Sequence, residues 1–311
     1  MIKLGTRGSQ LATSQSQTIA DALGELGFDV ELTIIRSEGD NQKVALNAFK
    51  RPGAFVARLQ ESVIDGSVDM AVHSFKDLPS AIPQPLITAA VPKRASERDV
   101  LVTRDGLELA DLPKNAKVGT SSPRRQAALL RARPDLQIFP IRGNVDTRLK
   151  KARNGELDAV VLAEAGLQRL GLLDENMTRI SLDVLLPAPA QGALAVECRG
   201  DNEDLVHGIG KLDHLESRVV VSAERAILTG VDAACTTAVG AHAQLDGNTL
   251  TLRADLANWR GVDFARAEHS IELPGDPKEI DETQKALWCE KARELGLKTA
   301  AELLAQAQPN S

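Results

Sequence analysis

The chain repeats itself, and the repeat limits what it can fold into. Ile2-Lys3-Leu4-Gly5-Thr6-Arg7-Gly8-Ser9 leads into a helical pattern through Leu11, Ile19, Leu23 and Leu26. Lys117-Val118-Gly119-Thr120-Ser121-Ser122-Pro123-Arg124 leads into a second one through Ala127, Leu129 and Leu130. Both read as strand, Gly-Thr, a serine-bearing turn, then helix. A β-like run follows each time, at residues 30–35 and 137–141. Residues 65–72 and 154–161 match again, as a glycine turn, an acidic residue and a buried strand. Two similar domains built from βαβ units are the economical expectation.

The repeat bears on binding. In each half a helix begins just past a strand, with Ser9 in one and Ser121 and Ser122 in the other at or near its cap. Helix N-termini carry unpaired N–H groups and partial positive charge, so both halves offer places for anions. Arg7 stands beside the first, and Arg124 and Arg125 beside the second. Two halves facing each other would enclose a cleft lined for carboxylates or phosphates. Tight turns feeding capped helices explain the Gly-Thr pairs equally well.

Segments 86–91 and 184–196 are the candidate crossovers, and Pro187-Ala188-Pro189-Ala190-Gln191-Gly192 reads as a hinge. Beyond about residue 214 the pattern changes to a helix over 219–228 and a loop holding Cys235. A hairpin then turns at Asp246-Gly247-Asn248, and an amphipathic helix spans 277–307. The expected domains are 1–92 with 190–212, then 93–189, both α/β, and a small α+β domain over 213–311 carrying Cys235.

The 311 residues carry a net charge of −6, yet positions 124–153 hold nine arginines and lysines against two aspartates. Such an island suits a local anionic ligand, or is a solvated helix face. Nucleic acid is disfavoured: aromatics are 3% with no tyrosine, too few for base-stacking platforms. No run approaches the ~18 apolar residues of a membrane helix. Met1 leads directly into strand-like sequence, without the pattern of a signal peptide. Cys198, Cys235 and Cys289 form no Cys-x-x-Cys pair and the five histidines no ligand spacing, which points to a reducing cytoplasm and no metal.

One motif concentrates chemistry. An apolar run, 68–72, ends in His73-Ser74-Phe75-Lys76-Asp77-Leu78-Pro79. Residues just past the carboxyl ends of strands in open α/β sheets face the ligand. Asp77 is therefore the first candidate acid or base, with Lys76 and the arginines as anion clamps. Cys235, in Ala233-Ala234-Cys235-Thr236-Thr237, reads either as a nucleophile or as a small buried hydrophobe.

With Arg142-Gly143-Asn144-Val145-Asp146-Thr147-Arg148, Gln191-Gly192 and Ala223-Glu224-Arg225-Ala226, these motifs occur in an order that closely resembles the porphobilinogen deaminase family. The resemblance implies two domains like the bilobal, type II periplasmic-binding-protein fold around a cleft, and a third, smaller α+β domain. It implies a transferase that condenses four porphobilinogens head to tail into hydroxymethylbilane, releasing ammonia, in tetrapyrrole biosynthesis. It also implies a dipyrromethane cofactor joined by a thioether to Cys235 and held by Ser74, Lys76, Ser122, Arg124, Arg125 and Arg148. Arg7, Ser9, Gln15, Arg142 and Arg169 would receive substrate, and Phe55 would stack over the pyrrole or simply anchor its loop. Asp77 would stabilise positive charge shared by the ring N–H. A monomer without metal, nucleic acid or membrane is implied as well.

Two stretches depart from the family. Where many relatives have Gly-Lys-Gly-x-Phe, this chain has Arg51-Pro52-Gly53-Ala54-Phe55, so that any contact of the family lysine is either lost or taken over by Lys50, Arg51 or Arg58. Ala233-Ala234-Cys235 stands in place of Gly-Gly-Cys. A bilobal binding protein for a carboxylated small molecule is the alternative reading, and it leaves the cysteine-bearing domain unexplained.

Overall fold

The computed structural model describes residues 1–35, 54–232, 238–258, 260–275 and 279–307. The chain first forms β1 (Ile2–Thr6), α1 (Gln10–Glu25), β2 (Val30–Ile34), α2 (Ala54–Ile64), β3 (Met70–Ser74) and β4 (Leu86–Ala90). It continues through β5 (Asp99–Thr103), β6 (Lys117–Gly119), α3 (Pro123–Ala132), β7 (Gln137–Phe139) and α4 (Val145–Arg153). Then come β8 (Ala159–Ala163), α5 (Glu164–Arg169), β9 (Met177–Arg179), β10 (Leu194–Arg199) and α6 (Glu203–Gly210). The C-terminal part is α7 (Leu215–Gly230), β11 (Ala238–Asp246), β12 (Thr249–Ala257), β13 (Ala265–Glu272) and α8 (Glu282–Ala307).

The internal repeat is real at the level of topology. One sheet has the order β2-β1-β3-β10-β4 and another β7-β6-β8-β5-β9. In each, three parallel strands are followed by an antiparallel one that adjoins the edge strand. Thus β6, β7 and β8 repeat the roles of β1, β2 and β3. The fourth position is filled by β10, from far along the chain, in one sheet and by β5 in the other. Of the two expected crossovers, 86–91 holds β4, whereas 184–196 yields a strand only from Leu194 onward.

Two compact units result, Met1–Arg94 with Ala193–Ser217 and Ala95–Gly192 with Arg218–Ser311. In the first, α1 starts where Ser9 Oγ accepts the Ala12 N–H at 3.3 Å. That helix buries Ile19, Ala20 and Leu23, one apolar stripe, against Leu4, Met70, Val72 and Val196. Leu59 and Val63 of α2 cover the opposite face through Val68, Ala71 and Leu86. In the second unit the alternation of a strand divides the core: Leu101 packs with Val118, Leu129 and Val161, while Val100 and Val102 pack with Leu149, Val160 and Leu167. Each such buried aliphatic side chain contributes about 1.5–3 kcal/mol.

A small C-terminal sheet-plus-helix domain completes the second unit, with order β11-β12-β13. Its first hairpin turns through Gly247 and Asn248, with Gly247 at φ +59°, as the Asp-Gly-Asn signal predicts. Trp288, Ala292, Leu295 and Leu303 form the buried stripe of α8, and Trp288 Nε1 donates to the Pro274 carbonyl at 2.7 Å.

Candidate functional site

The register of β1 on β3, Leu4 with Met70 and Gly5 with Ala71, brings the carboxyl ends of two parallel strands to one edge. Arg7 and Ser9 therefore emerge beside the turn that follows Ser74. Phe75, Lys76 and Asp77 form a single 3₁₀ turn, anchored by the buried Phe75 ring and by its N–H, which donates to the Ala193 carbonyl at 3.0 Å. Lys76 is half-buried and Asp77 is exposed. Gln15, on the buried face of α1, donates through Nε2 to Ser74 Oγ at 2.9 Å. Arg7, Ser9, Gln15, Ser74, Lys76 and Asp77 are thus gathered in the first unit.

Beneath that turn lies a polar group the sequence does not announce. His73 Nε2 approaches Glu197 Oε2 at 3.0 Å, and Gln60 Nε2 donates to both Glu197 oxygens at 3.1 and 3.2 Å. Glu197 has no exposed surface. His73 is accordingly a packed strand-end histidine, as its lack of companion ligands suggested. Burial, with Glu197 next to it, pushes the Cys198 thiol up to about 11, so this cysteine is inert near neutrality.

The second unit gathers the other candidates. Ser122 caps α3, its Oγ accepting the Arg125 N–H at 3.4 Å, with Pro123 in the first helical turn. Arg124 and Arg125 follow at once and are both buried. Asn144 caps α4 through the Thr147 N–H at 2.9 Å, and Arg148 Nε donates back to the Gly143 carbonyl at 2.9 Å. Arg142 and Arg148, with Thr120, Ser121 and Gln126, line an open pocket of about 510 Å³ at the ends of β6 and β7. Burial, reinforced by the charge of Arg125, pushes the Arg148 guanidinium below its ordinary pKa. Arg169, lowered by burial, donates from Nη2 to the Gly192 carbonyl at 2.7 Å.

Asp99 is the residue whose importance the sequence conceals. It is 3% exposed and accepts from Arg125 Nε and Nη2 at 3.1 and 2.6 Å, while Arg124 Nη1 lies 2.8 Å away. Burial alone would raise its pKa, but the two guanidiniums hold it well below the carboxylate range. Its stabilising contribution is complete above the ordinary carboxylate pKa of about 4 and is lost as pH falls through the lowered folded value. An acid opening an otherwise apolar strand, Asp99-Val100-Leu101-Val102, was the available signal.

The 187–192 segment is not exposed like a hinge. Gln191 is wholly buried, and buried Glu224 accepts the N–H groups of Ala190 at 2.7 Å and Ala243 at 3.0 Å. Gly192 has φ +87°, and a Cβ there would stand 2.5 Å from the Ser96 carbonyl oxygen. Gly192→Ala should lower unfolding free energy by about 3 kcal/mol, from left-handed backbone strain and overpacking together. Urea midpoints test this, and a wild-type midpoint would contradict it.

Cys235 lies outside the described residues, as do Lys50, Arg51 and Pro52. Phe55 is the second residue of α2, with its side chain likewise outside. Arg58 forms an ion pair with Glu61 one turn along α2, at 3.3 Å.

Residues 2–207 match the family model described as porphobilinogen deaminase, dipyromethane cofactor binding domain, and residues 219–305 match the porphobilinogen deaminase C-terminal domain. A porphobilinogen deaminase of Corynebacterium efficiens is 49% identical over 81% of this chain and 85% of its own length. Those of Mycolicibacterium gilvum and Mycobacterium bovis are each 45% identical over 97% of this chain and 95% and 96% of theirs. Among solved structures, an ABC transporter periplasmic substrate-binding protein from Coxiella burnetii aligns over 68% of this chain and 91% of its own, at 16% identity and a TM-score of 0.43. Matched by family models through both its larger and its C-terminal parts, and by relatives over nearly its whole length, the chain belongs to the porphobilinogen deaminase family.

Proposed function

We propose that this chain condenses four porphobilinogens into hydroxymethylbilane with loss of ammonia, as a cytoplasmic monomer, and that Asp77 is its catalytic residue. The observation that carries the reading is the concentration of guanidiniums at the strand ends of the second unit, where Arg142 and Arg148 line one pocket. Each pyrrole of the substrate bears an acetate and a propionate, so substrate and product are polycarboxylates. Guanidinium forks match carboxylates and stay charged at any working pH.

The donor set also fits a dipyrromethane, whose four carboxylates need several cations and hydroxyls. Ser74, Lys76, Ser122, Arg124, Arg125 and Arg148 are the residues assigned to hold it, with Cys235 as its attachment point. When bound, it supplies the pyrrole end to which new units are joined. Arg7, Ser9, Gln15, Arg142 and Arg169 are assigned to the incoming porphobilinogen. Phe55 is assigned to pack over its ring.

The carboxylate of Asp77 does what no arginine or amide can. It accepts the ring N–H of the porphobilinogen and so stabilises the positive charge that spreads there as ammonia leaves. The amine, bound as its own ammonium, leaves as ammonia with the electrons of the C–N bond, and the carboxylate can then take up the ring proton released after coupling. The exposed position of Asp77 on an anchored turn leaves its oxygens accessible for this work.

Purified protein given porphobilinogen should release four ammonia molecules per hydroxymethylbilane formed, and failure to consume porphobilinogen would overturn the reading. Arg142→Leu should raise KM for porphobilinogen about tenfold or more, the worth of one charge-assisted hydrogen bond, with little change in kcat. An unchanged KM would remove Arg142 from the substrate set.

A further inference from the structure

Arg124 and Arg125 do not project freely toward a ligand. Arg125 Nη1 donates to the Val161 carbonyl at 2.9 Å, and Arg124 Nη1 donates to the Leu186 carbonyl. Both then converge on one carboxylate, Asp99, whose Oδ1 also accepts from Gln191 Nε2 at 3.0 Å. Gln191 Nε2 further donates to the Glu97 carbonyl at 2.8 Å, which fixes the amide. Burial and the charge of Arg125 disfavour the charged form of Arg124, and Asp99, with a smaller contribution from Asp255, opposes both.

The geometry points to Asp99 as a positioning residue for acquisition of the cofactor, with Gln191 as its orienting support. This rests on the reading that Arg124 and Arg125 hold the dipyrromethane carboxylates. Asp99 is too deeply buried to touch a pyrrole itself. It acts by setting the guanidinium planes before any ligand arrives, so that their rotamer freedom is already spent when the carboxylates bind. The Gln191-Gly192 pair thereby gains a role as part of the anion clamp: Gln191 orients the carboxylate, and Gly192 lets the chain pass against the Ser96 carbonyl.

The test uses full-length chain made in a host unable to supply porphobilinogen. Intact-mass spectrometry then follows dipyrrole gain after porphobilinogen is added, beside circular dichroism of each variant. Asp99→Asn should load at least about tenfold more slowly than wild type, and Asp99→Glu, which restores the charge, should recover most of that loss. Gln191→Met leaves all three charges in place and should load roughly threefold to tenfold more slowly while keeping the circular dichroism spectrum of the folded wild type. Wild-type loading in Gln191→Met and in any folded Asp99→Asn would overturn the proposal, and Gln191→Met decides it alone if Asp99→Asn does not fold. Arg124→Leu separates the two layers. If it stays empty while the Asp99 and Gln191 variants load normally, only the positioning role fails. If it loads normally, the cofactor reading fails and the proposal with it.

Discussion

Replacing Cys235 by serine will give a chain that never carries a covalent pyrrole and has no measurable turnover. A thioether needs a sulfur nucleophile, and a serine hydroxyl is too weak a nucleophile without an adjacent base. The remaining cysteines are poor substitutes. Cys198 has no exposed surface, and its thiol is pushed up to about 11, so that only about one molecule in a thousand is thiolate at pH 8. Cys289 is half-buried on α8, the helix that packs against β12 and β13. Intact-mass spectra of wild type and Cys235→Ser, each exposed to porphobilinogen, provide the check. A dipyrrole adduct on the serine variant would place the attachment elsewhere.

The second large effect belongs to Asp77. Asp77→Asn keeps the shape of the side chain but removes its charge and its capacity to accept a proton. Turnover should fall about 10²–10⁴-fold, the range for losing a general acid–base or a group that stabilises developing charge. Because Asp77 is exposed and its turn is anchored by Phe75, the melting temperature should stay within a few degrees of wild type. Cofactor occupancy should also persist, since Ser74 and Lys76 are unchanged. Steady-state rates within tenfold of wild type would remove Asp77 from its catalytic role.

Much of this was legible because the repeated strand, Gly-Thr and capped-helix signature depends on local rules. Ser9 and Ser122 cap their helices as their positions suggest, and the 246–248 turn closes its hairpin. What stayed hidden depends on residues far apart in sequence. Nothing local shows that Asp99 meets Arg124 and Arg125 across an interval of about 25 residues. Pro187–Gly192 has the composition of a hinge, yet its polar groups are held by Glu224, Glu97 and Asp99. Composition reports backbone propensity, whereas partners from elsewhere in the fold decide whether a segment is held.

The displaced fourth strand also bears on synthesis. β1 to β4 leave the ribosome first, but β10, which joins β3 to β4, follows about a hundred residues later. At about 5–20 residues per second, that interval lasts roughly 5–20 s. The second sheet, by contrast, draws all its strands from one continuous stretch, Asp99 to Arg179. Of the two five-stranded sheets, the one begun first is therefore finished last. Until β10 arrives, the apolar edges at Met70–Ser74 and Leu86–Ala90 stand unpaired, the state in which a nascent chain most needs a chaperone.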